Sequence, residues 1–434
     1  MDPVALAFVG LAGMFVLILL HVPLGVAMGV AGVVGFGLLS GMGPALSLLA
    51  SETAGSFSSL DLATIPLFIL MGGFASAAGL SEDLYRVAYA LVGHRRGGLA
   101  MATIAGCAGF GAICGSSVAT TATFGKVALP SMLSRRYAPG FATGTIAAGG
   151  TLGILVPPSV IMVIYAVLAQ ELIITLYVAA IVPSILALAL HMLAVAGHVR
   201  LAPDAAPAGP RMPWAERWQV VRGGWAVVAI IAIVLGGISF GVFTATEAAA
   251  VGAMLAFLVA LLRRSLNRQA LAATLMDTAS TTAMVYVIIV GAALFGYFVA
   301  VTQAPQAMIG AIGDSGLPVA AILAIMMLMY LLLGAVFDEV AAMVITLPFV
   351  LPLIKSWGFD PVWWGIVNVV IVELGMILPP IGMNVFVIHA LARKVPLAAI
   401  YRGVMPYVAS NLVRLALLVA FPALSLWLPA VVKG

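Results

Sequence analysis

Two short stretches carry the residues best suited to chemistry, and they say nearly the same thing: Gly153-Ile154-Leu155-Val156-Pro157-Pro158 and Gly375-Met376-Ile377-Leu378-Pro379-Pro380. Pro157 and Pro158 bring no N–H, so carbonyls one turn earlier, at Gly153 and its neighbours, lose their helical partners. At membrane depth a bare carbonyl is costly unless something positive or protic meets it. A small dehydrated cation such as Na⁺ is the natural occupant, and the half-helix N-termini at the same breaks suit an anionic substrate group. Ser116 and Ser117, in the polar tip of a neighbouring apolar segment, would add hydroxyl and carbonyl oxygens. The plainer account is that Pro-Pro only kinks a helix. Two breaks in register, each accompanied by a hairpin, argue for a binding site.

Other polar residues divide between function and structure. Asp338 and Glu339 occupy in the second half the place of Ser116 and Ser117 in the first. Intramembrane carboxylates point to function; the competing role is a buried partner for Lys126, Arg402 or a backbone amide. Lys126 lies about nine residues beyond Ser117, ~13 Å along a helix, and would snorkel to the interface, pair with a carboxylate or touch substrate. Glu373, one turn before the second Pro-Pro, reads as a brace for the broken helix, and Asn384 either contacts substrate or braces unwound backbone. His21, His191, His198 and His389 are singletons near helix ends, placed as interfacial residues. No nucleophile triad, metal cluster or phosphate loop is visible; Gly149-Gly150 reads as helix packing. An intramembrane enzyme would need a catalytic pair at depth, and Asp338-Glu339 has no matching pair on another helix.

The elements that must position these groups follow from composition. The chain has 434 residues, 64% hydrophobic and 8% charged, with a mean hydropathy of +1.22. That excludes a soluble domain and predicts a polytopic membrane protein. Cys107 and Cys114 share one apolar segment, so no disulfide framework is implied. The net charge of +4 sits in short loops, a topology signal and not a nucleic-acid one. Met1-Asp2-Pro3 has no positive leader region, so the first apolar stretch reads as a retained helix.

A constant offset of 222 relates Pro139 to Pro361, Gly153 to Gly375, Pro157 to Pro379, Pro158 to Pro380, and Leu129-Pro130 to Leu351-Pro352. Loop charges change sign under the same shift. Basic His94-Arg95-Arg96 and Arg135-Arg136 map to Gly316-Leu317-Pro318 and Trp357-Gly358, while Gln170-Glu171 maps near Arg393-Lys394. By the positive-inside rule the halves are inverted repeats, residues 1–198 and 225–434, joined by a cytoplasmic linker, 199–224. The basic loops flanking residues 97–134 lie on one side, so the apolar chain between them enters and returns. Two arms of roughly 18 residues, ~27 Å each, fit either a re-entrant hairpin or a tight pair of full crossings. The small polar tip favours a hairpin buried in protein, repeated at 319–356 with its turn at Gly334 to Glu339. The broken helices are 138–169 and 361–391. Five crossings per half (4–20, 23–41, 62–80, 138–169, 173–198; then 225–242, 246–262, 280–301, 361–391, 403–428) leave both termini outside, with surface pieces near 45–60, 82–93, 268–278 and 304–314.

Several motifs carry a resemblance: Val92-Gly93-His94-Arg95-Arg96-Gly97-Gly98-Leu99, Cys114-Gly115-Ser116-Ser117-Val118-Ala119 and Gly149-Gly150-Thr151-Leu152-Gly153 through Ser159. In the second half they are Phe243-Thr244-Ala245-Thr246-Glu247-Ala248-Ala249-Ala250, Gly334-Ala335-Val336-Phe337-Asp338 and Pro379-Pro380-Ile381-Gly382-Met383-Asn384. The chain resembles, over essentially its whole length, the large membrane subunit of TRAP (tripartite ATP-independent periplasmic) transporters, within the ion-transporter superfamily. The resemblance implies an all-α elevator-type carrier in the bacterial inner membrane, and Na⁺-driven uptake of a carboxylate or related organic acid. It also implies two partners, a small four-helix membrane subunit and a periplasmic substrate-binding protein. By motif position, one Na⁺ site would use Cys114, Ser117, Gly153, Val156 and Pro158, and the other Gly334, Gly375, Leu378 and Ile381. Ser116, Pro157, Asp338, Pro379 and Asn384 would face substrate. Three positions depart from the family pattern: Leu378 where Thr is frequent, Leu172 where Ser is common, and Pro183-Ser184 where Pro-Gly is common. A stand-alone Na⁺- or H⁺-coupled anion carrier of the same superfamily, working without a binding protein, is the alternative.

Overall fold

A computed structural model describes residues 2–433, and among them every regular element is helical. The first half runs α1 (Pro3–Leu19), α2 (Leu24–Ser40), α3 (Met42–Ser58), α4 (Thr64–Ala77), α5 (Leu80–Val92), then α6 (Gly98–Cys114) and α7 (Ser117–Ser134). It ends with α8 (Pro139–Leu155), α9 (Val160–Ala169) and α10 (Ile173–Leu201). A 3₁₀ turn and α11 (Trp214–Gly223) join the halves. The second half runs α12 (Trp225–Ser239), α13 (Ala245–Leu262), α14 (Arg268–Val301), α15 (Ala304–Asp314), α16 (Val319–Val336) and α17 (Glu339–Ser356). It ends with α18 (Pro361–Gly375), α19 (Met383–Leu391), α20 (Leu397–Ala420) and α21 (Ala423–Lys433). Six of these helices are long and apolar enough to cross a bilayer, or up to nine if each bent pair is one span.

Local sequence explains the helix starts. Pro361 stands at the first position of α18, where its missing N–H costs nothing, and the Asp360 carboxylate accepts from Val362 N–H at 2.7 Å. Thr244 and Glu247 close a capping box on α13. The 222-residue offset extends to most element boundaries; α21 has no α-helical counterpart in the first half, and α14 differs as well. Where the first half breaks between α3 and α4 at Ser59-Leu60-Asp61-Leu62-Ala63, the second half has Thr281-Thr282-Ala283-Met284-Val285. No turn former interrupts that run, so α14 continues for 34 residues. The expected separate surface piece at 268–278 is therefore its first turns, a correction to the sequence reading. His191 is a second correction. It lies fully buried within α10, its Nδ1 3.1 Å from Ser410 Oγ, and not at an interface.

Each half's second helix packs on the other half's fourth: α2 on α14, and α13 on α4, the exchange expected of two copies related by a two-fold. These contacts use missing side chains. A Cβ on Gly291 would lie 2.0 Å from Gly25 O, and one on Gly403 would lie 1.8 Å from Gly140 O, so the backbones of α2/α14 and α8/α20 touch directly. The centre is formed by α8 and α18, buried along most of their length. They meet at symmetry-equivalent residues. Thr151 Oγ1 donates to Glu373 Oε1 at 2.7 Å, and Arg414 of α20 pairs with Glu373 Oε2 at 2.7 Å, both charged side chains having no exposure. Burying that pair is expensive and breaking it more so, so it fixes how the two broken helices cross.

Thermal unfolding of purified variants tests this. Thr151→Val, which leaves one carboxylate oxygen without its donor, should cost about 1–3 kcal/mol. Arg414→Met, which strands a buried carboxylate, should cost roughly 3–5 kcal/mol. The Arg414→Met/Glu373→Leu pair should be less damaging than Arg414→Met alone; the reverse order would remove the pair from its central place.

Candidate functional site

Both helix breaks are built from the same parts. Position i+4 from Gly153 is Pro157 and from Ile154 is Pro158, so neither carbonyl has a helical donor. Val156 ends α8 in extended backbone, and α9 restarts after Ser159. In the second half, α18 ends at Gly375, a tight turn follows through Leu378 N–H to Gly375 O at 3.0 Å, and α19 restarts after Gly382. Both Pro-Pro peptide bonds are cis.

Each hairpin tip sits on its own half's break. In the first half a Cβ on Gly153 would come within 2.6 Å of Ser116 O and 2.7 Å of Thr120 Oγ1, and one on Gly115 within 2.9 Å of Pro158 O. Gly115 itself holds φ +63, which lets the chain turn between α6 and α7. Cys114, Ser117, Gly153, Val156 and Pro158 thus lie around one contact between the first hairpin tip and its break, too close at Gly153 to admit a methyl group. In the second half a Cβ on Gly375 would lie 2.6 Å from Gly334 C. Ala335 O accepts from Ile381 N–H and Gly382 N–H at 3.2 and 3.1 Å. Gly334, Gly375, Leu378 and Ile381 are therefore also grouped. The donor set fits a hard cation that takes carbonyl and hydroxyl oxygens, with Ser117 supplying the first half's hydroxyl and Leu378 supplying none.

The residues expected to face substrate separate into two kinds. Ser116 and Asp338 are equivalent N-caps: the Ser116 hydroxyl accepts from Ala119 N–H at 3.4 Å, and Asp338 accepts from Val340 and Ala341 N–H at 3.0 and 2.8 Å. Of the partners weighed for Asp338, the structure selects backbone amides. Asn384 is fully buried and donates to Ser117 Oγ at 2.7 Å and Ala147 O at 3.1 Å, so the second half's broken helix grips the first half's hairpin and α8. Its Oδ1 has no partner. Pro157 and Pro158 are buried, whereas Pro379, Pro380 and Ile381 are exposed.

Sequence reasoning missed several participants. Thr151 was detectable as the 222-offset equivalent of Glu373, and Arg414 as an arginine three turns into an apolar helix beyond Arg402. Tyr177 donates to Ser159 O at 3.4 Å and Tyr401 to Ile381 O at 2.7 Å, capping equivalent carbonyls just past each break. Ser184, read only as a departure from a family pattern, donates to Leu155 O at 3.1 Å. Lys126 is exposed on α7 and lies outside both groups.

Comparison with known proteins agrees with this architecture. Residues 11–424 match the family described as "Tripartite ATP-independent periplasmic transporter, DctM component". The chain is 36% identical over 369 residues to the C4-dicarboxylate TRAP transporter large permease protein DctM of Pseudomonas aeruginosa, covering 85% of this chain and 86% of that one. It is 31% identical over 399 residues to the sialic acid TRAP transporter large permease protein SiaM of Vibrio cholerae, covering 90% and 91%. Among solved structures, the Alcanivorax borkumensis YdaH transporter superposes with a TM-score of 0.59 at 16% identity, over 89% of this chain and 88% of that one, a likeness of fold. These relatives are permeases, so the chain is not an enzyme. It is a multi-pass membrane protein of the tripartite ATP-independent periplasmic transporter family and belongs to its large permease, the DctM component.

Proposed function

We propose that this permease takes up an organic acid delivered by a periplasmic substrate-binding protein. Na⁺ entry drives the uptake, and a small four-helix membrane subunit completes the complex in a bacterial inner membrane. The observation that carries the reading is the pair of hairpin tips seated on helix breaks whose carbonyls lack helical donors, the two breaks being linked through Asn384 and Ser117. Na⁺ would be held by Cys114, Ser117, Gly153, Val156 and Pro158, and a second ion by Gly334, Gly375, Leu378 and Ile381. A carboxylate would lie between the breaks, near Ser116, Pro157, Asp338, Pro379 and Asn384, where the N-termini of α7, α9, α17 and α19 favour negative charge. The carboxylate class is drawn from the C4-dicarboxylate and sialic acid names of two relatives.

We further infer an elevator movement, in which the helices divide into two bodies. One body holds α1 to α4 and α12 to α14; the other holds the hairpins and broken helices. A cavity of about 470 Å³ lies along their seam, lined by Glu52, Ser56 and Tyr297 on one side and Gln170, Val344 and Pro348 on the other. In this reading both termini lie in the periplasm and the 199–224 linker in the cytoplasm, as the loop charges suggest.

Proteoliposomes containing the permease and its small partner provide the test. Uptake of labelled C4-dicarboxylates and sialic acid should need both an inward Na⁺ gradient and the binding protein. Na⁺-driven uptake without the binding protein would replace this reading with a stand-alone carrier. Ser117→Ala should raise the Na⁺ concentration for half-maximal uptake roughly tenfold, equivalent to about 1.4 kcal/mol, while leaving the protein folded. Accessibility of single cysteines to an impermeant thiol reagent in a Cys107→Ala/Cys114→Ala background should place Arg136→Cys and Gly358→Cys on opposite faces; labelling from one face would contradict the inversion.

A further inference from the structure

Away from the site described above, α5 and α7 enclose a cleft of about 410 Å³. Tyr85, Arg86 and Tyr89 line it from α5, Lys126 and Ser131 from α7, and Glu82 stands at one end. Arg86 and Lys126 are exposed, and neither forms an ion pair among the described residues. Of the carboxylates nearby, Asp83 pairs with Arg263 at 2.6 Å, and Glu82, exposed at the end of the cleft, accepts from Ser81 Oγ at 2.9 Å and is one negative charge against the cations. Arg135 stacks on Tyr89 with its guanidinium 4.7 Å from the ring centroid and hydrogen-bonds its hydroxyl, adding a third cation at the hairpin base. Tyr85 is only 7% exposed, lines the cleft, and its hydroxyl has no partner. A buried hydroxyl without a partner signals a ligand or water that completes it.

Depth narrows the ligand. Lys126 lies eight residues before the end of α7, about 12 Å along the helix, with the basic His94-Arg95-Arg96 and Arg135-Arg136 loops at that end. Two free cations and two hydroxyl donors in a cleft at this level match a phosphate group, the pattern by which basic pockets between membrane helices hold acidic headgroups. We propose that the α5–α7 cleft binds a phosphate group, from an anionic phospholipid or from free phosphate, through Arg86, Lys126, Tyr85 and Ser131. Such a ligand ties α5, which bends 68° from α4, to the first hairpin. The assignment does not depend on the transported substrate or the coupling ion.

The test uses the full chain in nanodiscs of phosphatidylcholine, of phosphatidylcholine with phosphatidylglycerol, and of phosphatidylcholine with inorganic phosphate, followed by thermal unfolding. Phosphatidylglycerol should raise the unfolding midpoint by about 2 °C or more through binding to the folded state. A rise with inorganic phosphate alone would assign free phosphate as the ligand. Arg86→Gln/Lys126→Gln should abolish the rise, and Tyr85→Phe should reduce it. Arg95→Gln/Arg96→Gln, exposed cations away from the cleft, should keep it. Should the double variant not fold, Lys126→Gln alone, at an exposed position, gives the same reading. An equal rise in wild type and cleft variants, or no rise with either phosphate source, overturns the proposal.

Discussion

Lipid offers no hydrogen bonds, and that constraint organises this molecule around its two proline pairs. Each break exposes carbonyls that a continuous helix would have satisfied. The structure answers several of them with protein: Tyr177 on Ser159 O, Tyr401 on Ile381 O, Ser184 on Leu155 O, and the amides of Leu378 and Asn384 on Gly375 O and Met376 O. The carbonyls of Gly153 and Ile154 are left without a helical donor, and Gly153 packs against the first hairpin tip at Ser116. The general cost of unwinding is thereby narrowed to a few oxygens, the ones the proposed cation would meet.

The hairpins exist to make that confinement possible. A tip in contact with a break must bring its own backbone close, which explains why Gly153 meets Ser116 O and Gly375 meets Gly334 with no room for a methyl group. The tips cap their own helices with Ser116 and Asp338, so the same side chains that the sequence offers as ligands have structural duties. The two duties are compatible for a carboxylate: Asp338 accepts from two amides through one oxygen and leaves the other free.

Much of this was legible in the sequence, for reasons that can be named. Proline, glycine and the hairpin polar tips act locally, so their 222-residue repeat fixed the helix order and grouped the candidate ligands. Loop charge supplied the expectation that the halves are inverted. Two things were hidden. The continuity of α14 depends on an absence, since Thr281 to Val285 simply lack a breaker. The partners of Glu373 depend on tertiary proximity: Thr151 lies 222 residues away and Arg414 comes from another helix. Both had signals, the offset itself and an arginine deep in an apolar helix, but their meeting follows only once α8, α18 and α20 pack.

That meeting bears on why a near-symmetric molecule would have unlike halves. Thr151 and Glu373 are equivalent under the 222-residue offset and meet each other, a hydroxyl donating to a carboxylate where two carboxylates would repel. The difference at this one pair of positions is accompanied by others. Glu373 needs Arg414, whose equivalent position holds Met192. Asn384, whose equivalent is Met162, reaches only one way, from the second break to Ser117 in the first. The first break ends up buried and rich in oxygen, the second exposed at Pro379 to Ile381 and lined by Leu378.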